Sequence, residues 1–137
     1  MSIKYSPLLL LVFLAGCKSG DPRPKIYPAK VVVRDNAVCV LVPAENEEFL
    51  VALEVEGTGD AKRLRKYLTA TEQPVYLSQN QCVPLYGYWF ESGHSYGVSA
   101  HLETQASQQT GKPARIFTTS FTVSQQHDKQ LQVSPIN

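Results

Sequence analysis

The sequence has little that could carry covalent chemistry. Its 137 residues include three histidines and three cysteines, and none of them stands at the spacing from another that a zinc site uses. It has no Gly-Xaa-Ser-Xaa-Gly elbow, no glycine-rich phosphate loop and no zinc-hydrolase helix. The hydrolase and nucleotide-dependent classes built on those motifs are therefore excluded. No segment shows a sustained helical stripe and no repeat recurs, which argues against bundles and solenoids. Excess charge is missing too: 13 Lys+Arg face 12 Asp+Glu, so nothing favours nucleic acid or a polybasic membrane contact. The expectation is a non-enzymatic domain with no catalytic residue, no cofactor and no metal.

Long apolar runs are also few, and the clearest lies at the start. After Lys4 comes Pro7-Leu8-Leu9-Leu10-Leu11-Val12-Phe13-Leu14-Ala15, ended by Gly16-Cys17 and the polar Lys18-Ser19-Gly20-Asp21. A membrane-spanning helix needs about 20 apolar residues, so this run reads as a secretion signal. The tetrapeptide Leu14-Ala15-Gly16-Cys17 resembles the lipobox of bacterial lipoproteins. That resemblance implies cleavage after residue 16, with Cys17 becoming the lipid-carrying first residue. Each buried methylene of an acyl chain contributes about 0.8 kcal/mol, and more than one chain makes a stable tether. Lys18, in place of the Asp that marks inner-membrane retention, resembles the pattern sorted to the outer membrane, facing the periplasm. Residues 1–16 carry one charge, Lys4, so the remaining 121 residues are neutral overall, with 12 charges of each sign.

Residues 17–29, rich in proline, read as the lipidated N-terminus and a flexible tether, and residues 30–137 as one domain. Strand signals dominate it. Val31-Val32-Val33 and Val38 to Val42 flank Asp35-Asn36, which predicts a hairpin stopped by Pro43. Phe49, Val51, Leu53 and Val55 alternate with Leu50, Ala52, Glu54 and Glu56, a half-buried strand. Leu64–Thr69 and Val75–Leu77 are shorter candidates with no assignable pairing. Tyr96, Val98, Ala100 and Leu102 share one face, and after a polar loop from Gln105 to Lys112 the set Phe117, Thr119, Phe121 and Val123 repeats the pattern. These two should form an antiparallel hairpin. About seven strands in roughly 100 residues predict an all-β, immunoglobulin-like antiparallel β-sandwich. The stretch Phe90 to Val98 resembles the corner before the sixth strand of fibronectin type III domains, which implies that the Tyr96 hydroxyl returns to the backbone.

Cys39 and Cys82 are an even pair in a compartment that permits disulfides, and are expected to bond; a free reactive or metal-binding pair is the other reading. A closed loop of roughly 44 residues would contribute about 4 kcal/mol. Beyond Cys82, the group Tyr86, Tyr88, Trp89 and Phe90 reads as aromatic core beside the disulfide, or, if alternation sends Tyr88 and Phe90 inward and Trp89 outward, as an interface. Trp89 and Tyr86 are the candidates for partner binding, since Trp and Tyr are favoured interface anchors. Lys62-Arg63-Arg65-Lys66 and Glu45-Glu47-Glu48 with Glu54 and Glu56 read as solvated loop charges, or as opposed patches that could steer a partner.

Taken in order, the lipobox, Arg34 to Val40 with Cys39, the paired Cys82, the Phe90 to Val98 corner and Arg115-Ile116-Phe117 leading into the last strand resemble an enterobacterial family described as type VI secretion immunity periplasmic lipoproteins. The resemblance covers Lys30 to Val123. It implies a periplasm-facing protein that binds and neutralises a toxin effector, which requires buried interface area rather than a catalytic residue. The alternative is a structural or assembly-accessory envelope lipoprotein with no toxin partner.

Overall fold

The computed structural model describes residues 24–68 and 73–136. The signal at 1–16, the lipobox residues Leu14, Ala15, Gly16 and Cys17, and most of the tether lie outside the described residues, as does Thr69. Among the described residues, no helix is long and apolar enough to cross a membrane.

The chain forms β1 (Ile26–Pro28), β2 (Lys30–Arg34), β3 (Ala37–Leu41), β4 (Phe49–Gly57), β5 (Leu64–Tyr67), β6 (Val75–Tyr76), β7 (Ser95–Glu103), α1 (Gln105–Thr110), β8 (Arg115–Gln125) and β9 (Leu131–Pro135). One large sheet has the order β1-β8-β7-β4-β5, with β6 beside β4 and β9 beside β8; β2 and β3 make a second, small sheet. Val31, Val40 and Val42 from the small-sheet side meet Leu53, Val55, Val98, Leu102, Phe117 and Phe121 from the large one in a single core. The fold is the expected all-β sandwich.

The hairpin β2–β3 forms as the turn residues dictate. Asp35 and Asn36 both adopt left-handed backbone, with φ of 49° and 55°, and Arg34 pairs with Ala37 across them. That is a two-residue turn whose twist matches the flanking strands. Strands β7 and β8 pair antiparallel from Ser95↔Thr122 to Leu102↔Arg115. Tyr96, Val98, Ala100, Leu102, Phe117, Phe121 and Val123 are all buried, as their alternation requires. Cys39 and Cys82 are bonded, with Cα atoms 5.1 Å apart, and Val83 N–H donates to the Val40 carbonyl at 2.8 Å. The segment after Cys82 is thereby fastened to β3.

Several elements depart from expectation. In β4 the pairing with β7 shifts register between Leu50 and Ala52. This bulge moves Leu50, rather than Phe49 or Val51, onto the face shared by Leu53 and Val55, because an extra residue reverses which side follows. Gln105–Lys112 is not a plain polar loop: it holds α1, capped by reciprocal Thr104 and Ser107 hydrogen bonds and ended by left-handed Gly111. None of its residues is buried, so it has no apolar stripe to read. The tether expected over 17–29 ends earlier, since Ile26–Pro28 pairs parallel with Ile116–Thr118. That makes one pairing of the sheet parallel. β8 is not the last strand; β9 pairs with it from Phe121↔Pro135 to Gln125↔Leu131. Leu64–Tyr67 and Val75–Tyr76 both pair with β4.

The charge runs do not form opposed patches. Register sets Glu54 across from Arg65, and ion pairs join Arg65 to Glu54 at 3.7 Å and Arg63 to Glu56 at 2.7 Å. Glu48 is not a solvated loop acid but is 2% exposed. Its Oε1 accepts from Arg115 Nη1 at 2.7 Å and from the Glu45 N–H at 2.7 Å. Burial of a carboxylate requires such partners, and the fold supplies one from three residues away and the other from 67.

Candidate partner-binding surface

The segment from Val83 to His94 connects the disulfide to β7 and carries the aromatic group. Tyr86 and Gly87 take left-handed backbone, with φ of 52° and 72°, and Tyr88 N–H closes the turn onto the Leu85 carbonyl at 3.0 Å. A tyrosine in this region costs backbone energy that glycine avoids. After the turn the chain is extended, and its side chains alternate. Tyr88 and Phe90 pack inward with Tyr96 and Phe121, ring centroids lying 4.8 to 6.1 Å apart. Trp89 points away and is 78% exposed. The aromatic core thus determines where the tryptophan goes.

The corner is tied at both ends. Tyr96 Oη accepts from the Glu91 N–H at 2.7 Å and donates to the Glu91 carbonyl at 3.5 Å, the return to the backbone expected of a corner tyrosine. Gly93, at φ 86°, donates its N–H to the Val123 carbonyl at 2.7 Å, and Val123 N–H donates to the His94 carbonyl at 3.0 Å. Tyr88 Oη donates to the Lys62 carbonyl at 2.6 Å. Burial pushes the Tyr88 hydroxyl above its ordinary range, with smaller contributions from Tyr96 and Glu91.

Trp89 lines a groove of about 530 Å³ together with Leu85, Tyr88 and Phe90, with Ala37 and Val38 of β3 and with Leu131 of β9, while Glu91, Gln125 and Lys129 stand among the polar lining. Asn36 joins the two turns behind it: its Oδ1 accepts from Leu131 N–H at 2.7 Å, and its Nδ2 donates to the Lys129 carbonyl at 3.4 Å. A groove lined by both apolar and polar side chains beside an exposed indole has the makeup of an interface anchor point.

The two expected binding residues separate. Tyr86 is 39% exposed but does not line the groove; Lys66 Nζ sits 3.7 Å from its ring centroid, a cation–π contact that occupies its face. Burial raises the Tyr86 hydroxyl as well. Asn36, Lys129 and Leu131 were not candidates in the sequence, and they line the groove together with Trp89. His101 lies on the outward face of β7, as its alternation implies, and His94 is 3.4 Å from Glu91 and 3.2 Å from the Thr58 carbonyl. Among the described residues, no three His, Cys, Asp or Glu side chains converge.

A β-sandwich with an aromatic-lined surface groove is the class these features define. Residues 26–126, from the start of β1 to just beyond β8, match the family described as Domain of unknown function (DUF7480), and the chain belongs to that family. Neither the curated proteins nor the solved structures compared with it gave a match.

Proposed function

We propose that this protein is a lipid-anchored, periplasm-facing binding protein that neutralises a type VI secretion effector, and that its partner docks on Trp89. The exposed indole carries this reading. A tryptophan left 78% exposed beside a groove, while its two sequence neighbours are partly buried against the core, is the kind of residue on which protein interfaces concentrate binding energy. The lipobox at Cys17 supports the anchoring, and the sequence resemblance to immunity lipoproteins supports the choice of an effector as partner.

Deleting the gene in cells that deliver type VI effectors should sensitise them to killing by their sister cells, and the wild-type protein should restore survival. Trp89→Ala should fold normally yet lose at least tenfold in affinity for the effector, a loss of about 1.4 kcal/mol or more, since anchor tryptophans commonly cost 2 kcal/mol when truncated. Unchanged survival on deletion would refute neutralisation. Palmitate labelling that persists in Cys17→Ser would refute the anchor.

A further inference from the structure

β5 is an edge of the large sheet, whose order ends there. Its bonding pattern follows from β4. Thr58 N–H donates to the Ser95 carbonyl at 2.9 Å on the β7 side, and Leu68 N–H donates to the Val51 carbonyl at 2.8 Å on the β5 side. Bonded positions alternate along antiparallel pairs, so Leu53 and Val55 bond to Lys66 and Leu64, the residues opposite them. The N–H and C=O groups of Arg65 and Tyr67 therefore point away from β4. Among the described residues no other strand pairs with them. An extended segment laid beside β5 would extend the ladder through these four groups, which is what strand addition requires.

The side chains decide what that segment is. Arg65 and Tyr67 share the outer face of the sheet with Glu54 and Ala52, the residues opposite them on β4. Arg65 meets Glu54 through Nε at 3.7 Å, which leaves the two terminal nitrogens of its guanidinium for a second carboxylate. Tyr67 is 70% exposed and offers an apolar ring two residues along the same face. On the other face the Lys66 ammonium lies 3.7 Å from the centre of the Tyr86 ring. With Lys62 and Arg63 leading into the strand, four cations stand at this edge, and the ion pairs of Arg63 and Arg65 supply two carboxylates, Glu56 and Glu54. Charged residues on an edge strand ordinarily keep other strands off, and here their common sign makes the exclusion selective. A β5 from a second copy, centred on Lys66, would set Lys66 against Lys66, and like charges directly opposite are destabilising. A strand with an acid beside Arg65 is attracted instead.

We infer that the β5 edge takes up an extended acidic segment of another protein, which adds a strand to the sheet with a carboxylate beside Arg65 and an apolar side chain against Tyr67. This surface is separate from the Trp89 groove, and its use does not depend on what docks there.

The test uses the full chain in neutral detergent and two fluorescent heptapeptides, Thr-Val-Glu-Val-Tyr-Val-Thr and the same peptide with Lys in place of Glu. Anisotropy should show saturable binding of the acidic peptide, and binding of the basic one weaker by about tenfold or more. Hydrogen exchange over residues 64–68 should slow with the acidic peptide. Tyr67→Pro keeps the bonds to β4, because the N–H that it removes points outward, and should weaken binding by about tenfold. Arg65→Glu should reverse the preference, so that the basic peptide binds more tightly; this variant decides the matter if the proline variant does not fold. Trp89→Ala should bind as wild type does. No binding at about 1 mM acidic peptide, equal binding of the two peptides, or a preference that Arg65→Glu leaves unchanged would overturn the inference. Binding lost in Trp89→Ala would overturn it in favour of the groove. Self-association in sedimentation that rises with concentration and disappears in Tyr67→Pro would overturn it in favour of a second copy of this chain.

Discussion

Replacing Arg115 with methionine should destabilise the domain by about 3 kcal/mol, as the lower end of what removing one partner of a buried ion pair costs. Glu48 is 2% exposed, and the Arg115 side chain is 26% exposed. Without the guanidinium, Glu48 keeps only the Glu45 N–H as a donor. Water can reach the vacated position through the exposed side of Arg115, which is why the upper end of the range does not apply. The contact of Arg115 with Glu45 at 3.2 Å adds little, because Glu45 is 74% exposed and pairs of that kind contribute about 0–1 kcal/mol. Methionine retains an apolar stem where the guanidinium lay 4.9 Å from the Phe117 ring centroid and 5.2 Å from that of Tyr27. In urea, with a slope of about 2 kcal/mol per molar, the midpoint should fall by roughly 1.5 M. Far-UV circular dichroism is the suitable readout, since Trp89 is exposed in the native state. The double variant Glu48→Leu with Arg115→Met should recover to within about 1 kcal/mol of wild type, because exchanging both charges for apolar groups removes the desolvation cost together with the attraction. A single variant within about 0.5 kcal/mol of wild type, or a double variant no more stable than the single, would refute this account of how Glu48 is buried.

Cys39→Ser with Cys82→Ser should cost about 4 kcal/mol, from a sequence separation of 43, and thermal unfolding of oxidised and reduced wild type should differ by a similar margin. Gly57→Ala should cost about 1–3 kcal/mol through overpacking, because an added Cβ would lie 2.5 Å from Ala61 Cβ and 2.8 Å from the Tyr96 ring; a neutral effect in urea melts would show that this contact yields. Stability should also fall in alkali. The Tyr86 and Tyr88 hydroxyls are both raised in the fold, so the protonated form is favoured there. Their contribution is complete below the ordinary tyrosine value near 10 and is lost as pH rises through the raised values. Tyr88→Phe should flatten that decline in a pH series of urea midpoints.

Local chemistry was readable where local chemistry decides. Asp35-Asn36 demands left-handed turn residues, and the alternation over Tyr96 to Leu102 and Phe117 to Val123 has one buried solution. The outward direction of Trp89 followed from the inward neighbours on both sides. What stayed hidden depends on residues distant in the chain. The bulge at Val51 leaves a run of apolar residues whose alternation looks continuous. Glu48 resembles any loop acid until Arg115 is brought to it. β1 is three residues long and ends in proline, so it resembles tether until β8 offers its edge. Lys129 and Leu131 join the groove because Asn36 binds their backbone groups, 93 and 95 residues away.

The parallel pairing of β1 with β8 has a mechanical meaning. Any load that arrives through the N-terminus, as it would from a lipid embedded in a membrane, passes first into Ile26–Pro28. Ile116 N–H to the Lys25 carbonyl and Ala29 N–H to the Thr118 carbonyl, at 3.2 and 2.8 Å, bracket that strand and lie across its axis. A pull along the strand therefore loads these bonds together in shear instead of opening them one after another. The join between the N-terminal segment and the domain therefore gives way only when these bonds fail together.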